Sequence, residues 1–465
     1  MAENAVGEYG IVAFAEALPK SQLRCLNVYS NALQAAGAQS LFASLPTSPL
    51  IKLDVCRNDI RDVGAEALAF ALSRDSCKLQ VLIVSNNNIS KQGAVDLAAA
   101  LESNKALLEL YLGGNDFGAS GAEEFGRALQ HNCTLKGLSL GRNDIGDAGA
   151  AVLGEALPNT KALEWLSLSQ NNIGDAGADA LARGLCRNPF RNKSITYLDV
   201  QRNDIGDRGG ESFARALENN SHLETLLLGR NHIGDTGVAA IASVVRTHTG
   251  LSELYIHKNA ISAMGADELA KALRVNRSLK ELYLNGNYID IWGAEQFAAA
   301  MQENNLLRTL DISQCNVGIV GARMLAQMLV QCQGLKVFCS NSNWLLDKGT
   351  EVIADALATH SGLEELRLSD NGVTDAGAQM LAKASEGAKA LIVLDLDFNE
   401  IGDVGAKAFS ATLRRKESRI AELGLCENAA ITEVGTKALT AASWASSCLT
   451  KVRLRFPDAD AEPHV

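Results

Sequence analysis

The chain has 465 residues and sets 43 Lys and Arg against 54 Asp and Glu, a formal net charge of −11. That acidity repels nucleic acid and anionic membranes at long range and makes neither a default partner. Hydrophobic residues make up 47%, ample for a large core, but aromatics only 5%, so aliphatic side chains must build most of it.

The ten cysteines (Cys25, Cys56, Cys77, Cys133, Cys186, Cys315, Cys332, Cys339, Cys426 and Cys448) include no CxxC pair, which argues against zinc. The start, MAENAVGEYG, lacks a basic stretch followed by an apolar one, and no apolar run is long enough to span a bilayer. A cytoplasmic protein with reduced thiols is expected.

The first element in chain order is a helical half-repeat at Gly7–Leu18, and from there a single period governs the sequence. Asparagines recur at Asn31, Asn58, Asn87, Asn115, Asn143, Asn171, Asn203, Asn231, Asn259, Asn287, Asn343, Asn371, Asn399 and Asn428, most neighbours 28 residues apart. The gap from Asn287 to Asn343 is two periods, and Cys315 stands at its midpoint. Each asparagine ends a similar phrase: LKGLSLGRNDIGDAGAAVLGEAL from Leu135 to Leu157, LEELRLSDNGVTDAGAQMLAKAS from Leu363 to Ser385.

Within one copy, Leu138 and Leu140 alternate with Gly137, Ser139 and Gly141, the period of a short strand with one apolar face inward. Asn143 closes the strand. Its amide can donate and accept, so amides stacked in register are expected to form a ladder between turns, with Ile145 pointing back into the core. Gly146 allows a sharp turn, and Asp147 is expected to cap the helix that it opens, as are Asp62, Asp175, Asp207, Asp235, Asp375 and Asp403 in their copies. Gly149 and Ala150 let that helix lie close to the strand, and Leu153 and Leu157 give it an inward stripe. One such unit cannot bury its apolar face alone; stacking buries it on both neighbours.

Three copies depart from the pattern. The step from Leu163 to Ile195 is 32 residues, and the surplus around Cys186–Lys193 reads as an insertion bulging between helix and strand, either tolerated or used for docking. In the copy from Leu335 to Leu357, Phe338 and Ser340 take the inward strand positions and Trp344 follows the ladder residue, so weakened packing or a local kink is expected there. The copy that begins at Ile420 has one extra residue near Ala429 and Ala430. Residues 1–456 therefore read as a single solenoid of about sixteen repeats, with a partial repeat at 1–22 and the last strand at 449–456. The acidic tail 457–465 is expected to be unstructured.

The phrase LxxLxLxxNxIGDxGAxxLAxAL resembles the leucine-rich repeat in its 28-residue, ribonuclease-inhibitor-like subclass, over nearly the whole chain. The resemblance implies an α/β solenoid, a horseshoe with a parallel β-sheet on the concave side and α-helices on the convex side. Relatives of this type include ribonuclease inhibitors, sensor regions of immune receptors, tropomodulin-like actin cappers, activators of the Ran GTPase and components of cilia. What they share, and what the resemblance implies, is protein binding. Ribonuclease inhibitors alternate asparagine with cysteine at the ladder, whereas only Cys315 does so here, which argues against an inhibitor proper.

If the strand leucines point inward, the residues between them face the concave solvent side. Tyr111, Tyr255 and Tyr283 share one slot, Trp165 and Tyr197 the slot two residues earlier, and Tyr29 follows its strand pair. Tyrosine and tryptophan are enriched at binding hot spots, although strands also favour aromatics for their own sake. Arg142, Arg202, Arg230 and Lys258 share the slot before the ladder asparagine, with Asp199 and Glu253 nearby. Toward the C-terminus the same face carries Glu365, Asp370, Asp395, Asp397, Glu422 and Glu427 against Arg367. A complementary partner is then acidic against the middle and basic against the C-terminal end, unless these are simply solvated charges.

No GxxxxGK[ST] loop and no HExxH occurs, the seven histidines show no metal spacing, and His257 alone stands in a groove-facing slot. No catalytic residues, metal site, cofactor or small-molecule substrate is expected. The leading reading is a non-enzymatic, cytoplasmic scaffold that binds a protein partner, and neither nucleic acid nor membrane, on its concave surface. The rivals are a Ran-activator-like regulator of a small GTPase, although such relatives end in a long acidic tract, and a structural part of a large assembly such as a cilium.

Overall fold

The structure, a computed structural model, describes residues 2–4, 6–186, 195–446 and 448–454. The chain divides into two compact units, Met1–Ile233 and Gly234–Val465.

In the first unit, helices α1 (Gly7–Ala17), α2 (Gln34–Ser44), α3 (Arg61–Leu72), α4 (Lys91–Ser103), α5 (Gly118–His131), α6 (Gly146–Ala156), α7 (Asp175–Cys186) and α8 (Asp207–Asn219) alternate with three-residue strands. The strands are β1 (Cys25–Asn27), β2 (Lys52–Asp54), β3 (Val81–Ile83), β4 (Glu109–Tyr111), β5 (Gly137–Ser139), β6 (Trp165–Ser167), β7 (Tyr197–Asp199) and β8 (Thr225–Leu227). Each strand pairs in parallel with the next, and each helix packs on the next.

The second unit repeats the plan with α9 (Asp235–Val245), α10 (Ala263–Val275), α11 (Asp290–Met301), α12 (Gly318–Gln331), α13 (Leu346–Thr359), α14 (Asp375–Ser385), α15 (Asp403–Leu413) and α16 (Glu433–Ala445). Its strands are β9 (Glu253–Tyr255), β10 (Glu281–Tyr283), β11 (Thr309–Asp311), β12 (Val337–Cys339), β13 (Glu365–Arg367), β14 (Val393–Asp395), β15 (Glu422–Gly424) and β16 (Lys451–Arg453), again parallel and in chain order. Each unit is thus an α/β leucine-rich-repeat solenoid, a layer of parallel strands against a layer of helices.

The core lies between the two layers. From β2 to β15 the central strand residue, a leucine except for Phe338 on β12, is buried, as is the residue two positions on, such as Leu138 and Leu140, and so are Ala150 and Leu153 on the facing helix. Each such leucine contributes about 1.5–3 kcal/mol before conformational entropy is subtracted.

The asparagine ladder forms through main-chain groups, as at Asn143. The main-chain N–H groups of Asn143 and Ile145 donate to Asn171 Oδ1, at 2.8 and 3.4 Å. The Asn143 amide nitrogen donates to the carbonyls of Leu112, Leu140 and Gly141. Each side chain thus satisfies the buried turn of the preceding repeat as well as its own, which a strand end with no further partner could not do. At Cys315 the ladder continues through sulfur: the thiol reaches the carbonyls of Ser313 and Leu284, and its N–H donates to Asn343 Oδ1.

The aspartate caps differ from expectation. Asp147 lies inside α6, and its Oδ1 accepts the N–H groups of Gly174 and Gly177, at 2.7 and 2.9 Å, at the start of α7 one repeat on. Asp62, Asp175, Asp235, Asp375 and Asp403 do the same for the helices that follow theirs. The stagger between stacked helices brings the carboxylate of one over the first N–H groups of its neighbour, so the residues that were expected to cap their own helices instead bind repeats together.

The irregular copies keep their strand pairing. Ser340 is fully buried, yet its Oγ accepts from the Asn343 amide at 2.9 Å, and β12 pairs in register with β11 and β13. The expected weakening is therefore offset by a hydrogen bond. Trp344 is 72% exposed, outside the core. Across the 32-residue step Trp165 and Tyr197 remain partners; residues 187–194 of the insertion lie outside the described residues, as does the tail 457–465. The extra residue near Ala430 is taken up between Asn428 and Thr432, whose hydroxyl caps α16.

Candidate functional site

The strand face turned away from the helices carries the aromatic residues singled out by their spacing. All five, Tyr111, Trp165, Tyr197, Tyr255 and Tyr283, are half-buried, outside the core.

In the first unit, Tyr111 on β4 and Trp165 on β6 meet with ring centroids 5.2 Å apart and planes tilted by 40°. Strand β5 lies between them. Contact is possible because β5 presents Gly137 there, and the indole fills the space that a side chain would occupy. The Tyr111 hydroxyl donates to Glu109 Oε2 at 3.0 Å. Burial, then this carboxylate, push the phenol up to about 12. Tyr197 follows Trp165 in register on β7.

In the second unit, Tyr255 and Tyr283 are register partners on β9 and β10 and stack at 4.1 Å with planes 10° apart. The Tyr283 hydroxyl donates to Glu281 Oε2 at 2.9 Å. Burial is the first cause raising both phenols above the usual range, and Glu281 adds to it for each. These glutamates were not singled out from the sequence. The phrase Glu-Leu-Tyr, which recurs at β4, β9 and β10, was the pattern that could have shown them.

The basic residues stand beside the strands, in the turns that follow them. Arg142, Arg202, Arg230 and Lys258 have φ of 56, 54, 56 and 50°, in the left-handed region, where Gly114 and Gly286 stand in other copies. Arg142, Arg202 and Arg230 are exposed in the first unit. In the second, Lys258 is half-buried and leans over Gly286, where a Cβ would stand 2.7 Å from Lys258 Cγ. His257 is half-buried on the same face, and the Arg57 guanidinium lies 5.6 Å from the Tyr29 ring.

The expected acidic surface at the C-terminal end is partly neutralised within the fold, while Asp370 and Glu427 stay exposed. Arg453 on β16 reaches Asp395 and Asp397 at 3.0 Å each and Glu422 at 3.1 Å, while Arg367 pairs with Glu365 and Asp395. Asp395 and Asp397 are buried. Sequence reasoning missed Arg453 because nothing in one repeat shows that the last strand lays a cation over carboxylates one and two repeats back. Among the described residues, no group of three or more His, Cys, Asp or Glu could hold a metal ion, and no helix is long and apolar enough to cross a membrane.

Ten copies of the leucine-rich repeat family model match the chain, at residues 48–69, 75–98, 103–126, 131–154, 163–182, 191–214, 219–242, 303–326, 361–382 and 385–410, together about half of its length. The chain belongs to the leucine-rich repeat family. No curated protein matches its sequence. Among solved structures, an internalin (InlF) from Listeria monocytogenes strain 4b F2365 is 20% identical with a TM-score of 0.42, over 77% of this chain and 88% of the internalin. The TLR13 chain of a TLR13–ssRNA13 complex is 18% identical with a TM-score of 0.45, over 81% of this chain and 47% of that one, so the match spans about half of its length. Both likenesses are distant, and the family assignment rests on the repeats.

Proposed function

We propose that this protein is a non-enzymatic scaffold, of the ribonuclease-inhibitor-like repeat subclass, that holds a partner protein against the exposed face of its strands. The observation that carries this reading is the pairing of large aromatics on that face. Tyr111 with Trp165 and Tyr255 with Tyr283 are ordered by ring contacts and by glutamates, yet they stand outside the core. Rigid amphipathic rings offer a partner contact area at low entropic cost.

The basic turn residues support it. The left-handed turn is common to the copies, with Ser30, Gln170, Gln314 and Phe398 at the same slot, so what sets Arg142, Arg202, Arg230 and Lys258 apart is their charge. That charge would orient the partner. The period passes unbroken from Asn231 to Asn259, which supports reading 1–456 as one continuous solenoid. Ten free cysteines, six of them buried, support a reducing, cytoplasmic setting. Net acidity and the aromatic pairs favour a protein over nucleic acid, a membrane or a small-molecule substrate.

The test is photo-crosslinking in cells with benzoyl-phenylalanine placed at position 285 on the strand face or at position 404 on α15. One partner is expected to crosslink from position 285, and to be lost when Tyr255→Ala and Tyr283→Ala are combined. Crosslinks from position 404 alone would overturn the reading and favour a structural role that buries the helices.

A further inference from the structure

We propose that the Tyr255–Tyr283 pair and the carboxylates around it form a site for a cationic side chain, an arginine or lysine of the partner. The proposal rests on the strand face being the partner surface and adds the chemistry of what docks there.

Strands β9 and β10 both read Glu-Leu-Tyr and pair in register, so Glu253 stands opposite Glu281 and Tyr255 opposite Tyr283. Strand β11 then sets Thr309 opposite Glu281 and Asp311 opposite Tyr283. Neighbouring strands lie about 4.8 Å apart, so three carboxylates and two phenol rings share a patch a few side chains wide. On the outward positions 253, 255, 257, 281, 283, 285, 309, 311 and 313 there is no lysine or arginine. The bordering cations are Lys258, which leans over Gly286, Arg308, which donates to the Gly334 carbonyl, Lys280, which precedes its strand, and Arg367 on β13, which acts on Asp311 from two strands away and is itself paired with Glu365 and Asp395.

The rings are nearly parallel, so each closes one face of the other. Strand β11 sets Thr309 and Asp311 beside Tyr283, and Asp311, like Tyr283, is half-buried, so ring and carboxylate both reach the surface. The hydrogen bond to Glu281 holds that ring in place and sets a negative charge at its edge. A cation on an aromatic face is attracted by the ring quadrupole, and a guanidinium lying flat there can also direct its N–H groups at a carboxylate. Asp311 is suited to that role: burial pushes its carboxyl up, the Ser313 hydrogen bonds and Arg367 pull it down, and a further cation would favour the ionised form. An acidic segment would instead bring its carboxylates against Glu253, Glu281 and Asp311, a costly juxtaposition.

The probes are fluorescein-labelled nonapeptides of glycine and serine that carry three arginines, three lysines or three glutamates, titrated against the whole chain by fluorescence anisotropy at low salt. The arginine peptide is expected to bind, the lysine peptide more weakly, and the glutamate peptide not at all. Tyr283→Ala and Asp311→Asn should each weaken the arginine peptide roughly tenfold, Tyr283→Phe should weaken it less because the ring and its stack remain, and Trp444→Ala, at an exposed ring on α16, should leave it unchanged. Melting curves confirm that each variant is folded, and Tyr283→Phe and Asp311→Asn keep the test decisive should Tyr283→Ala unfold. Equal binding by wild type, Tyr283→Ala and Asp311→Asn would show attraction to net acidity alone and overturn the proposal, as would binding of the glutamate peptide. Strand-face crosslinking combined with that result rejects the cation site and spares the scaffold reading; the opposite pair of results rejects the scaffold reading alone.

Discussion

The indole of Trp165 lies over Gly137, its register partner on β5: a Cβ at Gly137 would stand 1.8 Å from Trp165 Cε2. Glycine is needed there for close approach, since any side chain would lift the ring off the sheet and away from Tyr111. Gly137→Ala should displace Trp165, abolish its contact with Tyr111 and cost about 1–3 kcal/mol in urea unfolding. A crystal structure of the variant with the two rings still 5.2 Å apart would refute this account of the pair.

The Asp375 carboxylate accepts the N–H groups of Gly402 and Gly405, at 2.8 and 2.7 Å, across the repeat boundary. Asp375→Ala should lower stability by about 1–2 kcal/mol. In hydrogen exchange the loss of protection should centre on α15, which receives the cap, rather than on α14, which carries the residue. Exchange that quickens mainly in α14 would restore the simpler picture of an aspartate capping its own helix.

Thiol reactivity should follow burial. Cys25 and Cys133 are exposed, whereas burial pushes Cys56 and Cys315 up to about 12 and also raises Cys77, Cys332, Cys339 and Cys426. At pH 8 a disulfide reagent should label Cys25 and Cys133 first, and the six buried thiols only after unfolding, because the attacking species is an accessible thiolate. Rapid labelling of Cys315 in the native chain would contradict the packing of the ladder.

Asp397 supplies a pH dependence. Burial first, then the neighbouring Asp395, raise its carboxyl from 3.8 to about 6, against which the Cys426 N–H and Arg453 pull down. Between these two values the folded chain keeps a proton that the unfolded chain has lost, so this group's contribution to stability falls as pH rises through that window. The difference in melting temperature between wild type and Asp397→Asn should therefore shift against wild type from pH 4 to pH 7; a shift in its favour would reverse the assignment. Arg453→Ala, which leaves Asp395 and Asp397 buried without that cation, should cost about 3 kcal/mol at pH 7.

Much of this molecule was legible one repeat at a time. The alternation of Leu138 and Leu140, the 28-residue return of Asn143 and the close packing at Gly149 and Ala150 follow from local periodicity, and they place Tyr111, Tyr255 and Tyr283 outside the core before any coordinates are seen. Glu109 and Glu281 were legible in principle, since each stands two residues before its tyrosine and alternation puts both on one face. Gly137 was harder to see, because its meaning lies in a tryptophan 28 residues later.

What the sequence determined alone is the repeat: its strand, its turn, its helix, and the face that each side chain takes, because these depend on residues within a few positions of one another. Tertiary structure decided what passes between repeats. That Asp147 caps the following helix, that Trp165 reaches Tyr111 across an intervening strand, and that Arg453 neutralises Asp395 and Asp397 all depend on the stagger and reach of stacked elements. Those distances are set by how neighbouring repeats settle against each other, and residue order along the chain does not encode them locally.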